Sequence, residues 1–250
     1  MAWQGTGFSD IGKIRTRNED SFSVLNQASL WVVADGMGGN RGGDVASRLA
    51  VDTISRFIEK RLLSLQESPK TVADEETMMV QAVGAGHKEV RRAALLQPEL
   101  EGMGTTVVAA RITMNPFPHL IVGHVGDSRA YLLQDATLTL LTRDHSMVER
   151  HVQKGLLTPE EALRHPHRHV LTRALGTTKA LPAVQAHPLK ESDRLLLCSD
   201  GLTTLVGDEE IAETWIKAGP SPEAACRALV HIANQRGGLD NTTIIVIQRL

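Results

Sequence analysis

Aromatic residues and cysteines are scarce in this chain of 250 residues. Phe, Trp and Tyr together make up 3% of the sequence, and there are 2 cysteines. So few rings argue against a stacking platform for single-stranded nucleic acid. Cys198 lies within an apolar run, which predicts a buried, reduced thiol. We therefore expect a cytoplasmic protein without disulfides.

Excess charge and long apolar stretches are also missing. The formal net charge is −2, so nothing favours a nucleic-acid backbone or an anionic membrane surface. No apolar run reaches the roughly 18 residues that a membrane helix needs. The beginning of the chain lacks the basic and apolar parts of a signal peptide. We expect no nucleic-acid partner and no membrane insertion.

The length suits one domain, because single hydrophobic cores stop growing at roughly 250–300 residues. We therefore predict a single domain over residues 1–250. Apolar residues recur at helical spacing from about 43 to 63 and from about 75 to 96. Two more helices are predicted near 208–217 and 221–235, the second opened by Pro222.

Strand signals dominate the middle of the chain. Between residues 105 and 141, four short β-rich runs follow one another too closely for βαβ crossovers, so the sheet should be mainly antiparallel. Asp135 marks a tight hairpin between the last two runs. Further strands are predicted at 195–198 and 242–247. A strand-rich centre between two helical blocks predicts helices on both faces of paired antiparallel sheets.

A polar and basic segment covers residues 145–178. It contains His145, His151, His165, His167 and His169. Thr158 followed by Pro159 and Glu161 has the features of a helix start. We predict small helices in a surface flap; the alternative is that the basic residues form only a solvated surface.

Acidic residues stand beside glycine or asparagine at the ends of predicted strands. They are Glu19 with Asp20, Asp35 before Gly36, Asp127 after Gly126, Asp200 before Gly201, and Asp240 before Asn241. A turn alone explains any one such pair. If the strands are neighbours, however, the carboxylates converge, and their repulsion requires a cation among them. The run ending at Ala34 is expected to stop at Asp35.

The residue types favour hard cations. Carboxylate oxygens without cysteine or a clear histidine set suit Mg²⁺ or Mn²⁺. Two such ions, roughly 3.5–4 Å apart, can share a water molecule and make it hydroxide-like. Arg15 could clamp a phosphate through two hydrogen bonds. Alternatively, Arg15 belongs to a basic surface patch with Lys13 and Arg17.

Eight short motifs follow one another along essentially the whole chain. They are Arg15…Asn18-Glu19-Asp20, Asp35-Gly36-Met37-Gly38-Gly39, Gly104-Thr105-Thr106, Gly126-Asp127-Ser128-Arg129, Asp144-His145-Ser146, Leu171-Thr172-Arg173-Ala174-Leu175-Gly176, Ser199-Asp200-Gly201-Leu202 and Asp240-Asn241-Thr242-Thr243. Their order resembles that of metal-dependent protein phosphatases of the type 2C kind. The short chain and the Asp-Gly-Met-Gly-Gly form resemble the bacterial branch.

The resemblance implies an α+β fold: a four-layer αββα sandwich of two antiparallel β-sheets flanked by helices, with a small helical flap. It also implies two to three Mn²⁺ or Mg²⁺ ions. Asp35 would bridge two of them, Asp200 and Asp240 would bind one, and the Gly36 carbonyl would bind the other. Asp127 would join Asp200 at a third, weaker metal site.

The remaining implied roles surround the metal ions. Glu19 and Asp20 would support the metal waters, and Arg15 would hold the substrate phosphate. Gly104-Thr105-Thr106 resembles a packing element under the site. Asn241 and Ser128 either shape turns or act directly.

One position departs from the eukaryotic relatives, which have a histidine after Asp-Gly. Met37 stands there and cannot transfer a proton. The general acid is therefore open: a metal-bound water is the first hypothesis and a flap histidine such as His145 is the second.

The resemblance implies a serine/threonine protein phosphatase that acts on phosphorylated proteins and reverses a cellular Ser/Thr kinase. We expect a monomer. One alternative is a catalytically silent phosphoprotein-binding module, but such members should lose metal aspartates, and Asp35, Asp200 and Asp240 all remain. A second alternative is a phosphatase for small metabolites. A basic, exposed flap favours a protein substrate over a small metabolite, but only modestly.

Overall fold

Two antiparallel β-sheets form the centre of the protein. The structure, a computed structural model, describes residues 2–38, 42–64, 69–114, 117–178 and 180–249. The strands are β1 (Trp3–Asp10), β2 (Asp20–Leu25), β3 (Leu30–Met37), β4 (Gly104–Thr105), β5 (Val107–Met114), β6 (Pro118–Val125), β7 (Arg129–Gln134), β8 (Thr137–Leu140), β9 (Ala183–Pro188), β10 (Arg194–Cys198) and β11 (Thr242–Arg249). One sheet has the order β1-β11-β10-β7-β8; the other has β2-β3-β5-β6-β9, with β4 paired to β3.

Helices cover the outer face of each sheet. They are α1 (Gly43–Leu63), α2 (Val72–Leu96), α3 (Met147–Gln153), α4 (Pro159–Arg164), α5 (Asp200–Thr203), α6 (Asp208–Lys217) and α7 (Pro222–Gln235). Helices α1 and α2 pack on the sheet that contains β3, and α6 and α7 pack on the sheet that contains β11. A third apolar cluster fills the space between the sheets. The predicted four-layer αββα sandwich is confirmed.

Helix α1 begins and ends at the predicted residues. Its buried face repeats at Ala46, Ala50, Ile54 and Ile58, the spacing of one side of an α-helix. The predicted start of the second helix at residue 75 is wrong, because Thr71 caps the helix and α2 begins at Val72. The Thr71 hydroxyl accepts from the Asp74 amide while the Asp74 carboxylate accepts from the Thr71 amide.

Strand β1 is absent from the sequence-based prediction because its small and polar residues hide the β pattern. The segment includes two glycines, which are poor strand formers in isolation. Packing explains Gly5: a Cβ there would lie 2.1 Å from the Trp31 indole nitrogen. The buried ring of Trp31 therefore takes the space that a side chain on β1 would occupy.

The hairpin at Asp135 and the flap helices agree with the predictions. Asp135 and Ala136 both have positive φ, 46° and 70°, as a type I′ turn requires. Helix α4 starts with the predicted capping box between Thr158 and Glu161. One isolated bridge joins Ser146 to Leu171 near the two ends of the flap.

Both cysteines are free and buried, as predicted for Cys198. Across the ranges that the structure describes, no helix is both long enough and apolar enough to cross a membrane.

A buried ion pair fastens α2 to the sheet beneath it. Arg111 donates to both carboxylate oxygens of Glu75 at 2.6 and 2.9 Å, and the two side chains are 10% and 3% exposed. Breaking such a pair leaves a buried charge without compensation, which costs about 3–5 kcal/mol.

We therefore expect Glu75→Gln to lower the free energy of unfolding by about 3 kcal/mol, measured by urea denaturation. Glu213→Gln is the matched control, because Glu213 pairs with Lys217 on the surface at 2.9 Å. Exposed pairs contribute only about 0–1 kcal/mol. Equal losses in the two variants would contradict this account of the Glu75–Arg111 pair.

Candidate metal centre

Carboxylates from both sheets converge at one end of the sandwich. They border an open cleft of about 770 Å³. The predicted site residues that line it are Arg15, Glu19, Asp35, Gly36, Asp127, Asp200 and Asp240. Asp200 and Asp240 come from neighbouring strand ends, whereas Asp35 belongs to the opposite sheet. The cluster therefore assembles across the sandwich and not along one sheet edge.

Asp35 lies inside a strand, which corrects the expectation that the strand stops there. Strand β3 runs on to Met37; Asp35 pairs with Asp20, and Gly36 pairs with Thr105. A Cβ at Gly36 would lie 2.1 Å from the Gly43 carbonyl oxygen at the start of α1. Close packing against α1 therefore requires glycine at this position. Gly39, the last residue of the motif, lies outside the described residues.

Two threonines hold the backbone of Asp35. The Thr105 hydroxyl and the Thr106 amide both donate to the Asp35 carbonyl, at 2.8 and 2.9 Å. The Asp35 amide donates to the Thr106 hydroxyl at 3.1 Å, and that hydroxyl pairs with Ser128 at 2.6 Å. At Thr106 these contacts divide the first of the four predicted β-rich runs into β4 and β5. They put Gly104-Thr105-Thr106 under the site, as the resemblance implies.

Asn241 ties together the two loops that carry the other site residues. Its side-chain oxygen accepts from the Glu19 amide at 2.8 Å. Its side-chain nitrogen donates to the carbonyls of Ile11 and Arg17, both at 2.9 Å. The segment that bears Arg15 and Glu19 is thereby fixed beside Asp240. Of the two interpretations of Asn241, the contacts favour the one in which it shapes the loops.

Asp20 is buried beside the cleft and does not line it. Its Oδ2 accepts from the Ser199 hydroxyl at 2.8 Å, and the same hydroxyl accepts from the Thr243 amide at 2.9 Å. No hydrogen-bond partner for its Oδ1 exists among the described residues. Burial raises the pKa of Asp20 from 3.8 to about 7.

Desolvation and mutual repulsion disfavour ionisation of the whole cluster. Desolvation raises the pKa of Asp35 well above its usual range, and the charges of Asp20 and Asp200 raise it further. Desolvation also raises the pKa of Asp127 well above its usual range, with the Asp200 charge next. The pKa of Asp200 is raised by desolvation first and by the charge of Asp240 second. A bound cation would lower the pKa values of Asp35, Asp127 and Asp200 by stabilising their ionised forms.

The cluster fits hard divalent cations by its chemistry. Its candidate ligands are carboxylates and a backbone carbonyl, the oxygen donors that Mg²⁺ and Mn²⁺ prefer. The unpaired Oδ1 of Asp20 and the raised pKa of Asp35 also favour a bound cation at this site. As the described side chains stand, no three acidic, histidine or cysteine groups are close enough together to hold one ion. The carboxylates would therefore have to move closer to bind.

Arg15 supplies positive charge to this cluster. Its Nη2 donates to the Asp240 Oδ2 at 2.7 Å, and the arginine side chain is 52% exposed. That hydrogen bond raises the pKa of Arg15. The predicted phosphate clamp and a predicted metal ligand thus contact each other directly.

The structure places His145, the second candidate for the general acid, away from the cleft. Met37 lines the cleft, but His145 does not. The His145 ring stacks on His124 at 4.6 Å, and its Nδ1 accepts from the Gly126 amide at 3.2 Å. Desolvation lowers the pKa of His145 to about 4. The flap histidine that does line the cleft is His169, which no sequence signal distinguishes from its four neighbours.

The fold and this site together define a class: αββα sandwiches with an acidic cluster at one end of the two sheets. The chain belongs to the protein phosphatase 2C family, whose model matches residues 13–233. The motif order predicts this family, so the resemblance is confirmed.

Similar proteins come from several bacteria. The serine/threonine phosphatase Stp of Listeria monocytogenes is 37% identical over 245 residues, which cover 96% of this chain and 94% of Stp. The crystal structure of PstP from Mycobacterium tuberculosis is 35% identical, with a TM-score of 0.88, and the match covers 100% of this chain and 99% of that one. A structure of the PstP catalytic domain in complex with two manganese ions is 34% identical, has a TM-score of 0.85, and matches over 99% and 98%.

The raised pKa values predict how pH affects the metal-free protein. Below about 3.8, Asp20 is protonated in the folded and unfolded chains alike. Between about pH 3.8 and 7, Asp20 ionises in the unfolded chain but stays protonated in the folded one. The contribution of Asp20 to the free energy of unfolding therefore falls as the pH rises through this range. Buried histidines such as His145 act in the opposite direction, so we expect the melting temperature in EDTA to fall more, or rise less, across this window in the wild type than in Asp20→Asn.

Asp35→Asn should raise the melting temperature of the metal-free protein at pH 8, because it removes one desolvated charge. A gain of several degrees is expected, since about 1 kcal/mol shifts Tm by roughly 2–4 °C in a chain of this length. The same variant should lose most of the stabilisation that Mn²⁺ gives the wild type. Asp135→Asn, on the exposed hairpin, is the control. A destabilised metal-free Asp35→Asn would contradict the electrostatic account.

Proposed function

We propose that this protein is a metal-dependent serine/threonine protein phosphatase that hydrolyses phosphoserine and phosphothreonine in proteins. The observation that carries the proposal is the convergence of Asp35, Asp127, Asp200 and Asp240 with Arg15 at one open cleft. Bound Mn²⁺ or Mg²⁺ ions would supply the activated water that attacks the phosphorus atom. The names of the similar bacterial phosphatases support the same activity.

The ligand roles follow the resemblance and are compatible with the placement of the residues. Asp35 would bridge two ions, with Asp200 and Asp240 on one and the Gly36 carbonyl on the other. Asp127 and Asp200 would hold a third. The supporting observation is that, in addition to desolvation, the charge of Asp200 raises the pKa of both Asp35 and Asp127, and the charge of Asp240 raises the pKa of Asp200.

Arg15 would bind the substrate phosphate. Its guanidinium is exposed to the cleft, and only one of its hydrogen bonds, to Asp240, is formed within the site. A guanidinium can bind two phosphate oxygens at once. We propose that Asp240 turns toward the cations when they bind and leaves Arg15 free to orient the phosphate.

Glu19 and Asp20 would complete the site from the side of α1 and β2. Glu19 lines the cleft, and its backbone carbonyl is fixed by the Gly36 amide at 3.1 Å and the Ser47 hydroxyl at 2.6 Å. Both carboxyl groups have raised pKa values, chiefly through desolvation. Glu19 can accept hydrogen bonds from water in the cleft, whereas Asp20 supports the site from behind the cleft wall through Ser199.

The leaving alcohol needs a proton that Met37 cannot provide. His145 lies outside the cleft with both ring nitrogens near other groups, since its Nε2 is 3.4 Å from Arg173. We therefore propose that a water molecule in the open cleft donates this proton.

The biological setting is also a proposal. We propose a single domain over residues 1–250 that acts as a cytoplasmic monomer and opposes a Ser/Thr kinase. Two buried free thiols suit a reducing compartment. A silent phosphoprotein-binding module remains the alternative function, and it predicts binding without turnover.

The proposed activity predicts Mn²⁺-dependent release of phosphate from phosphoserine and phosphothreonine peptides, with little from phosphotyrosine peptides. Asp200→Asn and Asp240→Asn should lower kcat on p-nitrophenyl phosphate at least about 100-fold, because several kcal/mol of charge stabilisation would be lost. Asp135→Asn should behave as the wild type. Peptide binding without any turnover in the wild type would instead support the silent module.

Arg15→Ala should mainly raise KM, because it removes a contact made to the substrate phosphate before and during reaction. A five- to fiftyfold increase is a rough expectation for one charged hydrogen bond. Arg17→Ala, which changes a neighbouring arginine of the cleft wall, is the matched control. Steady-state kinetics with a phosphothreonine peptide would decide this. An unchanged KM with a large loss of kcat would place Arg15 in transition-state stabilisation instead.

A further inference from the structure

A second groove continues from the catalytic cleft and runs beneath the flap. It has a volume of about 350 Å³ and lies between α3 and α4 on one side and β8 and α5 on the other. Three residues, Asp127, His169 and Asp200, line both the cleft and this groove. The two spaces are therefore continuous, and a chain that places a residue in the cleft can extend into the groove.

Apolar side chains form the flap side of the groove. Val148 and Ala162 are 7% and 9% exposed and belong to the wall itself. Leu163 stands at the same wall but is 72% exposed, and Leu140 on the opposite side is 37% exposed. An incoming apolar group could cover both leucines and remove this surface from water.

One network of polar groups beneath the groove is satisfied internally. Arg129 donates to both carboxylate oxygens of Asp144 at 2.9 and 2.7 Å. It also donates to the Tyr131 hydroxyl at 3.2 Å, which in turn donates to Asp208 at 2.9 Å. These charges and hydroxyls are already paired, so they offer little to a charged ligand. At the wall formed by Val148, Val152 and Leu163, apolar contact is the favourable interaction left to an occupant.

We infer that this groove binds an apolar side chain of the substrate polypeptide, close in sequence to the phosphorylated residue. The inference rests on the proposed function, and it makes Leu163 and Val152 specificity-determining residues. Both line the groove, and neither is among the residues assigned to the metal ions or to phosphate. The volume lies near the lower limit of ligand pockets, roughly 300–1,000 Å³, and suits a single large side chain.

The test compares phosphothreonine peptides that differ only by leucine or alanine at successive positions on either side of the phosphothreonine. With Mn²⁺ and the full chain, the wild type should prefer leucine at one position by about tenfold in kcat/KM. Leu163→Ala should abolish most of this preference, and Val152→Phe should do so by filling the groove. Both variants should hydrolyse p-nitrophenyl phosphate as the wild type does, because this substrate is too small to reach the groove.

Leu156→Ala is the matched control. Leu156 is a flap leucine of similar exposure, 65%, but it does not line the groove. It should keep the leucine preference. The inference is overturned if the wild type shows no preference at any position, or if Leu163→Ala lowers kcat/KM equally for leucine and alanine peptides. No hydrolysis of any substrate by the wild type would overturn the proposed function itself, and this inference with it.

Discussion

The main physical constraint on this structure is the electrostatic repulsion between several carboxylates that lie together at one end of two packed sheets. Asp35 comes from one sheet, and Asp200 and Asp240 come from the other. Asp35 and Asp200 are desolvated, and neighbouring carboxylates repel them, so the arrangement requires a firmly held backbone. Arg15 offsets part of this repulsion through Asp240.

Most of that support comes from neutral side chains bound to backbone groups. Thr105 and Thr106 hold the backbone of Asp35, and Asn241 holds the loop that carries Arg15 and Glu19. These residues are buried, and their hydrogen bonds do not depend on pH. The backbone of Asp35 and of the Glu19 loop is therefore positioned independently of the ionisation of the carboxylates, and only side chains have to move when cations bind.

Local sequence signals predicted the elements that local forces determine. Helix α1, the hairpin at Asp135 and the start of α4 each follow from periodicity, turn residues or a cap. Strand β1 and the continuation of β3 through Asp35 depend on partners far away in the chain, so periodicity could not reveal them. The site residues were predictable because their motifs resemble a known family. The placement of His145 outside the cleft and His169 within it required the tertiary structure.

The two ends of the flap are joined to each other before they reach the sheets. The bridge between Ser146 and Leu171 closes residues 147–170 into a loop with a shared base. Because closing a longer loop adds little entropic cost, its length and composition can vary while the base stays in place. Changes within the flap helices would therefore alter the surface offered to a protein substrate while the Ser146–Leu171 base keeps its place beside the hydrolytic centre.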